Sequence, residues 1–489
     1  MTIIEGLTLG LQHAIQPMAL LFCFVGVMLG TFVGVLPGIG NTATVALLIP
    51  MTFEIPGEYA MMMLAGISYG ALYGGSIISI LLRIPGTTAS IMTCIEGNEL
   101  TKQGRAGVAL FVASMTSFIG GMIGVIITIV AGPFLSNIGI TLGPTDFASI
   151  MFFGLVACCF ITTDQPVKNF SMVFVGLMIG MVGTDINSGY DRYFFGSDTL
   201  RDGLHILIVA LGTFAIAEVI SCINIEQKVL TKNFGQWLPT KQETKNCFWP
   251  IIRGSSIGSF IGALPGTGGT IASFIAYMVE RKFSKNKDKF GHGSVEGIAA
   301  PESANNAAAH TAFIPTLTLG IPGDAIAVLL LGALMIYGYA PGPMMMQETP
   351  ELFWGLVISF IIGNIILLII NLPLIRLWVK ILQIPYNILF PSIIVLCCMA
   401  IWGLHFNHTD LLILAFFGAL GYFIKILKFS PAPLVLGIML EPYIESYIRR
   451  SLTIYQGDWS VFFDRPVSLS FIILSIFMIA TMLIKVLKR

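Results

Sequence analysis

The chain has 489 residues, 55% of them hydrophobic and only 11% charged, against roughly 25% charged in an ordinary soluble protein, which excludes a soluble globular enzyme. Its 26 Lys and Arg balance its 26 Asp and Glu, so no basic excess exists to neutralise phosphates and nucleic acid is not a partner. At about 20 apolar residues per crossing, the length accommodates on the order of 10 to 14 membrane segments and no large soluble domain.

Residues 1–17 carry no Lys or Arg ahead of the first apolar stretch. They lack the basic flank of a cleaved signal peptide, and the first segment is expected to stay in the mature protein. Further on, the runs 107–132, 352–375 and 467–484 contain no charge and are long enough to cross a bilayer as helices. Shorter apolar runs at 147–163, 170–184, 203–217, 381–402 and 411–424 predict additional helices. None alternates apolar with polar residues as a membrane strand would. The expected fold is an all-α polytopic membrane protein. The 8 cysteines form no CxxC pair or metal-ligand spacing and read as small packed hydrophobes.

Four Pro-Gly breaks interrupt apolar sequence: Leu36-Pro37-Gly38-Ile39-Gly40, Ile84-Pro85-Gly86, Leu264-Pro265-Gly266-Thr267-Gly268-Gly269 and Ile321-Pro322-Gly323-Asp324. Proline removes a backbone donor and glycine tolerates positive φ, so each should break its helix. Broken backbone at membrane depth is tolerated only where it lines an enclosed or watery cavity. The breaks also come in pairs. Residues 30–40 and 258–268 share GxFxGxLPGxG at a constant offset of 228 (265 − 37), and the two IPG breaks are offset by 237 (322 − 85). Each half thus carries an LPGxG break followed by an IPG break, the pattern of a secondary-transporter binding site built from two repeats.

Charges flanking the breaks suggest orientation. Glu54 and Glu58 follow the first LPGIG, whereas Arg281, Lys282, Lys285, Lys287 and Lys289 follow the second LPGTGG. By the positive-inside bias the repeats are expected to be inverted. Lys228, Lys232, Lys241 and Lys245 precede the second LPGTGG; with both flanks cytoplasmic, 249–280 reads as a re-entrant hairpin, the alternative being a full span. The expected organisation is a first repeat over 1–225, a basic cytoplasmic connection over 226–248, a second repeat with following helices over 249–466, and a C-terminal helix over 467–489 with its end in the cytoplasm.

A half-helix starting at a break presents unpaired N–H groups and about half a positive charge, and glycine lets an anion approach them. The candidate anion site comprises Pro37, Gly38, Gly40, Asn41, Thr42, Pro85, Gly86, Pro265, Gly266, Thr267, Gly268, Gly269, Pro322 and Gly323, with Thr44 and Thr270 as further donors. Arg83 either joins it or snorkels to the interface. Asn305, Asn306, Thr316 and Asp324 offer hard oxygen ligands for Na⁺; Glu302 and Asn305 read equally as helix caps. His310 reads as a packed or hydrogen-bonded residue rather than a proton carrier. No GxSxG, HExxH or GxxxxGK[ST] motif is present, which argues against an enzyme and against ATP use by this chain. The rival class is a membrane channel or scaffold subunit whose breaks are structural.

The segments GVLPGIG (34–40), YGGSIISILLRIPG (73–86), GALPGTGGTIASFIAY (262–277) and APESANNAAAHTAFIPTLTLGIPGD (300–324) resemble the large membrane subunit of tripartite tricarboxylate transporters, the TctA family. The resemblance implies a bacterial inner-membrane permease for citrate-like carboxylates. It also implies a small four-helix membrane subunit, a periplasmic solute-binding protein as partners, and Na⁺ as coupling ion with no other cofactor. The family pattern places Asn before the first IPG and an acid after it, where this chain has Arg83 and Thr87.

Overall fold

The computed structural model describes residues 2–36, 39–159, 166–185, 188–222, 236–264, 268–381 and 386–487. Pro37, Gly38, Pro265, Gly266 and Thr267, together with Lys228 and Lys232, lie outside the described residues. In chain order the helices are α1 (Ile3–Ala14), α2 (Pro17–Gly34), α3 (Gly40–Leu48), α4 (Gly57–Leu82), α5 (Ile91–Lys102), α6 (Ala106–Ile140), α7 (Pro144–Cys158) and α8 (Pro166–Gly180). There follow α9 (Asp198–Arg201), α10 (Ile206–Ala210), a π-helical stretch Leu211–Ile216, α11 (Ala217–Cys222), α12 (Lys241–Gly262), α13 (Gly268–Phe283), α14 (Glu296–Thr311), α15 (Phe313–Leu319) and α16 (Ala325–Ile336). The chain ends with α17 (Met345–Glu348), α18 (Pro350–Ile381), α19 (Tyr386–His405), α20 (His408–Ile426), α21 (Pro431–Ile454), α22 (Val461–Asp464) and α23 (Pro466–Leu487). Among the described residues the only strands are β1 (Gly183–Thr184) and β2 (Asp191–Arg192), an antiparallel pair. Among the described residues five helices are long and apolar enough to cross a membrane, and six shorter apolar ones accompany them.

The chain divides into two compact units. One comprises Met1–Ser136 and Glu218–Cys397, the other Asn137–Ala217 and Cys398–Arg489. Within the second unit, α8 packs on α21 through glycines; a Cβ at Gly176 would lie 2.2 Å from the Leu434 carbonyl oxygen. Two arginines tie the base of that unit together, Arg192 to Glu445 and Arg449 to Asp185.

The first unit is built from one motif used twice. Gly26, Gly30 and Gly34 of α2 lie against Met63, Ile67 and Ala71 of α4, and a Cβ at Gly30 would come 2.2 Å from the Ile67 carbonyl oxygen. Gly254, Gly258 and Gly262 of α12 lie in the same way against Ala300, Ala304 and Ala308 of α14, with 2.2 Å at Gly258. These contact pairs keep the sequence offsets of 228 and 237. Small residues at such seams let helices meet backbone to backbone, where van der Waals packing rather than the hydrophobic effect holds them in lipid.

In both seams the numbers rise together, so α2 runs parallel to α4, and α12 to α14. The segment between each parallel pair must therefore carry the chain back. At the open end of the first, Tyr59 donates to Gln16 Oε1 at 2.6 Å. In the second, Arg253 of α12 forms two hydrogen bonds to Glu280 of α13, at 2.9 and 2.8 Å. As a straight helix the 27 positions between them would span about 40 Å. Helices α12 and α13 thus form one hairpin and α2 and α3 another, each with its apex between the end of the first helix and the start of the second.

The two motifs meet head to tail. Tyr69 of α4 stacks on His310 of α14 with centroids 4.5 Å apart, and Ser76 of α4 donates to Glu302 of α14 at 3.0 Å. One index rises as the other falls, so these matched helices run antiparallel.

Candidate functional site

Both hairpin apexes re-enter helix through a glycine in the left-handed region, Gly40 at φ 68° and Gly268 at φ 60°. A side chain at either would be strained. The IPG breaks are matched as closely. α4 stops at Arg83 with φ 58°, and α15 stops at Gly320 with φ 69°. After each stop the chain folds back on the helix it left. Ser79 Oγ accepts from the Gly86 N–H at 3.0 Å, and Thr316 Oγ1 accepts from the Gly323 N–H at 3.3 Å. A Cβ on Gly86 would sit 2.2 Å from Gly75 Cα, and one on Gly323 2.7 Å from Ala312 Cβ. The glycine of IPG is therefore required by close backbone approach, and the hydroxyl one turn up the helix supplies the acceptor that the break removes.

Contacts between the breaks draw all four together. A Cβ on Gly40 would stand 3.7 Å from the Gly86 carbonyl oxygen, and one on Gly268 would stand 3.5 Å from Asp324 Cβ. Each apex thus touches the IPG turn of its own half. The halves join where Thr88 and Thr270 share a hydrogen bond of 2.7 Å. Reciprocally, α13 packs on the 3₁₀ turn Thr88–Ser90 and α16 packs on α3.

Three helices of eight or more residues, α3, α13 and α16, begin at this cluster. The start of α16 is capped by Asp324, which accepts from the Ala327 N–H at 2.8 Å. The start of α3 has no side-chain cap, leaving its leading N–H groups for something else. Beside them lies Asn41, 5% exposed, whose Oδ1 and Nδ2 have no hydrogen-bond partner among the described residues. A buried amide without partners costs about 1–3 kcal/mol, and beside an uncapped helix start its donor and acceptor are available to a ligand. Thr42 sits half-buried on the same turn, Thr44 is committed to the Gly40 carbonyl at 2.7 Å, and Arg83 and Pro85 are exposed.

The proposed cation ligands divide into two sets. Asn305 and Asp324 face the second apex; a Cβ on Gly269 would lie 2.3 Å from Asn305 Oδ1. The other two are engaged with backbone. Asn306 Nδ2 donates to the Glu302 carbonyl at 3.0 Å, and the Thr316 hydroxyl donates to Ala312 O at 2.6 Å. Among the described residues no three His, Cys, Asp or Glu side chains gather as a metal cluster. A cation here would rest on amide, hydroxyl and backbone oxygens with one carboxylate.

Glu302 is not a helix cap. It lies inside α14, 1% exposed, and its carboxylate accepts from Ser76, Thr93 and Ser117. Sequence reading missed that the small hydroxyl residues of the first half are its partners, since nothing in their spacing points to position 302. His310 is held as expected of a packed residue: its Nδ1 donates to the Asn306 carbonyl at 2.7 Å and its Nε2 accepts from Asn364 at 2.8 Å. The cavity of about 790 Å³ in the second unit, bordered by Arg192, His205, Asp410 and Glu441, contains none of the sequence-derived candidates.

Comparison with known proteins places these features. The model of the tripartite tricarboxylate transporter TctA family matches residues 20–436. An uncharacterized 52.8 kDa protein of Agrobacterium vitis, from the TAR-I ttuC' 3' region, is 41% identical over 473 residues, covering 96% of this chain and 94% of that protein. A second uncharacterized A. vitis protein, from the TAR-II ttuC' 3' region, is 47% identical over 213 residues, covering 44% of this chain and 88% of its own length. No solved structure matches.

Proposed function

Because the chain belongs to the tripartite tricarboxylate transporter TctA family, we propose that it is the permease subunit of a secondary carrier importing small tricarboxylates or dicarboxylates, citrate-like, on a Na⁺ gradient. It is a multi-pass membrane protein and a transporter subunit rather than an enzyme. In this reading it sits in the bacterial inner membrane with its C-terminus in the cytoplasm. A small four-helix subunit accompanies it, and a periplasmic binding protein delivers the substrate.

The observation that carries the proposal is the meeting of all four breaks through Gly40 and Gly86, Thr88 and Thr270, and Gly268 and Asp324. Substrate carboxylates take the uncapped N–H groups of α3, the Asn41 amide and the apex and IPG glycines; Pro37, Gly38, Pro265, Gly266 and Thr267, outside the described residues, remain candidates from the sequence. Thr42 adds a hydroxyl and Arg83 a countercharge. The coupling ion takes Asn305 and Asp324 at the second apex, with Asn306 and Thr316 supporting them. The antiparallel run of α4 and α14 supports reading 1–225 and 249–466 as inverted repeats joined by 226–248, with 467–489 as a terminal helix. Inverted repeats place one site where both halves can gate it from opposite sides.

Uptake of radiolabelled citrate into proteoliposomes, with both partner proteins supplied, tests the reading. Saturable uptake that follows an inward Na⁺ gradient is expected. Flux that ignores the gradient, or none, would favour the channel or scaffold alternative.

A further inference from the structure

A second polar centre lies one helical turn from the tip cluster, outside the residues assigned above. We propose that Glu302, Ser76, Thr93 and Ser117 form a binding site for a monovalent alkali cation, a site separate from Asn305 and Asp324. The inference rests on the transport reading and adds to it.

Glu302 Oε1 is 2.6 Å from the Thr93 hydroxyl and 3.0 Å from that of Ser76, and Oε2 is 2.9 Å from that of Ser117. The three hydroxyls come from α5, α4 and α6, all of the first half, whereas the carboxylate comes from the second. Among the described residues no Lys, Arg or His forms an ion pair with Glu302, which is 1% exposed. Other buried carboxylates are held differently: Glu280 has Arg253 and Asp146 has Arg465, while Glu96 and Glu296 accept from fixed N–H donors of Gly291, Gly293, Ser294 and Asn286. The donors to Glu302 among the described residues are hydroxyls, which can turn a lone pair toward a cation. A charge taken out of water is stabilised by fixed hydrogen-bond donors or by a countercharge, and a cation would supply the second at Glu302.

What surrounds Glu302 is hard oxygen alone, the donor set that suits alkali cations and disfavours transition metals. The Ser76 hydroxyl also has the Leu72 carbonyl oxygen at 3.4 Å, so its proton has a second acceptor when its lone pairs face a cation. The position is suited to coupling. Asn305, three residues along α14, faces Gly269, and Thr88, five residues before Thr93, bonds Thr270. A cation drawing Ser76, Thr93, Ser117 and Glu302 together closes α4, α5 and α6 on α14 and sets the spacing of the tips where the anion binds.

Equilibrium binding of ²²Na⁺ to the purified full-length chain in nanodiscs, with choline chloride holding ionic strength, tests this directly. Glu302→Gln should weaken saturable Na⁺ binding about tenfold or more. Thr93→Val and Ser117→Ala, which keep the carboxylate, should each weaken it severalfold while the chain still unfolds cooperatively. Asn41→Ala should bind Na⁺ as the parent does while its KM for citrate rises about tenfold. Unchanged Na⁺ binding in Glu302→Gln, or binding lost only in Asp324→Asn, would overturn the proposal. So would a parent chain that binds no Na⁺ and responds to pH alone. An unchanged citrate KM in Asn41→Ala would instead overturn the tip reading, leaving the Glu302 result to stand by itself.

Discussion

Thr88 and Thr270, 182 positions apart, join hydroxyl to hydroxyl at 2.7 Å. Thr88 follows the IPG break of the first half, and Thr270 follows the LPGTGG break of the second. Through this bond the IPG turn of one half rests on the hairpin of the other.

Asn41 pays for burial without receiving hydrogen bonds. Asn41→Ala removes an unsatisfied amide that costs about 1–3 kcal/mol, so its thermal midpoint should equal or exceed that of the parent. Its KM for the carboxylate should rise about tenfold, the loss of one good ligand hydrogen bond. Tryptophan-fluorescence melts and uptake kinetics on the same preparation check both halves of the expectation.

The glycine seams make a stability prediction independent of transport. Gly30→Ala and Gly258→Ala each force a Cβ to within 2.2 Å of a carbonyl oxygen of the facing helix. Overpacking of that kind costs about 1–3 kcal/mol, seen as a lower thermal midpoint. Gly403→Ala is the control. Nothing lies within 4 Å of the added Cβ, and alanine is favoured over glycine in a helix by up to about 1 kcal/mol.

Arg83 occupies the left-handed position that its repeat mate fills with Gly320. Arg83→Gly should relieve about 1 kcal/mol of backbone strain and raise the melting temperature. If its guanidinium also receives a substrate carboxylate, KM should rise severalfold in the same variant. Gained stability with weakened affinity would mark a residue kept for function.

The hairpin of the second half is braced by Arg253 and Glu280. Arg253→Met leaves Glu280, 1% exposed, without its cation, and should cost about 2–3 kcal/mol, below the value for a fully buried pair because Arg253 is a third exposed. Adding Glu280→Met should recover much of that loss. Melts of the two single variants and the double variant measure the coupling.

Much of this arrangement was legible in the chain because repetition and Pro-Gly breaks are local signals. GxFxGxLPGxG gave the two apexes, and the offsets of 228 and 237 matched helices that prove to pack alike. The helix α4 was harder to see. Ser68, Tyr69, Gly70, Tyr73, Gly74, Gly75 and Ser76 dilute its apolar character, which it can spare because protein rather than lipid surrounds it. The same holds for α14, polar in composition yet buried through most of its length. The partners of Glu302 and the Thr88 bond to Thr270 were not legible, since both depend on antiparallel packing between distant segments. The grouping of 1–136 with 218–397 likewise follows from long-range packing that no local pattern announces.

The central claim is that breaks from both halves meet to form one site, and a disulfide tests it most directly. In a cysteine-free background, Thr88→Cys with Thr270→Cys should cross-link on mild oxidation in native membranes. Uptake should stop, reduction should restore it, and saturating citrate should alter the rate of cross-linking. Absence of the cross-link, with a control pair across the α2 and α4 seam closing normally, would contradict the account.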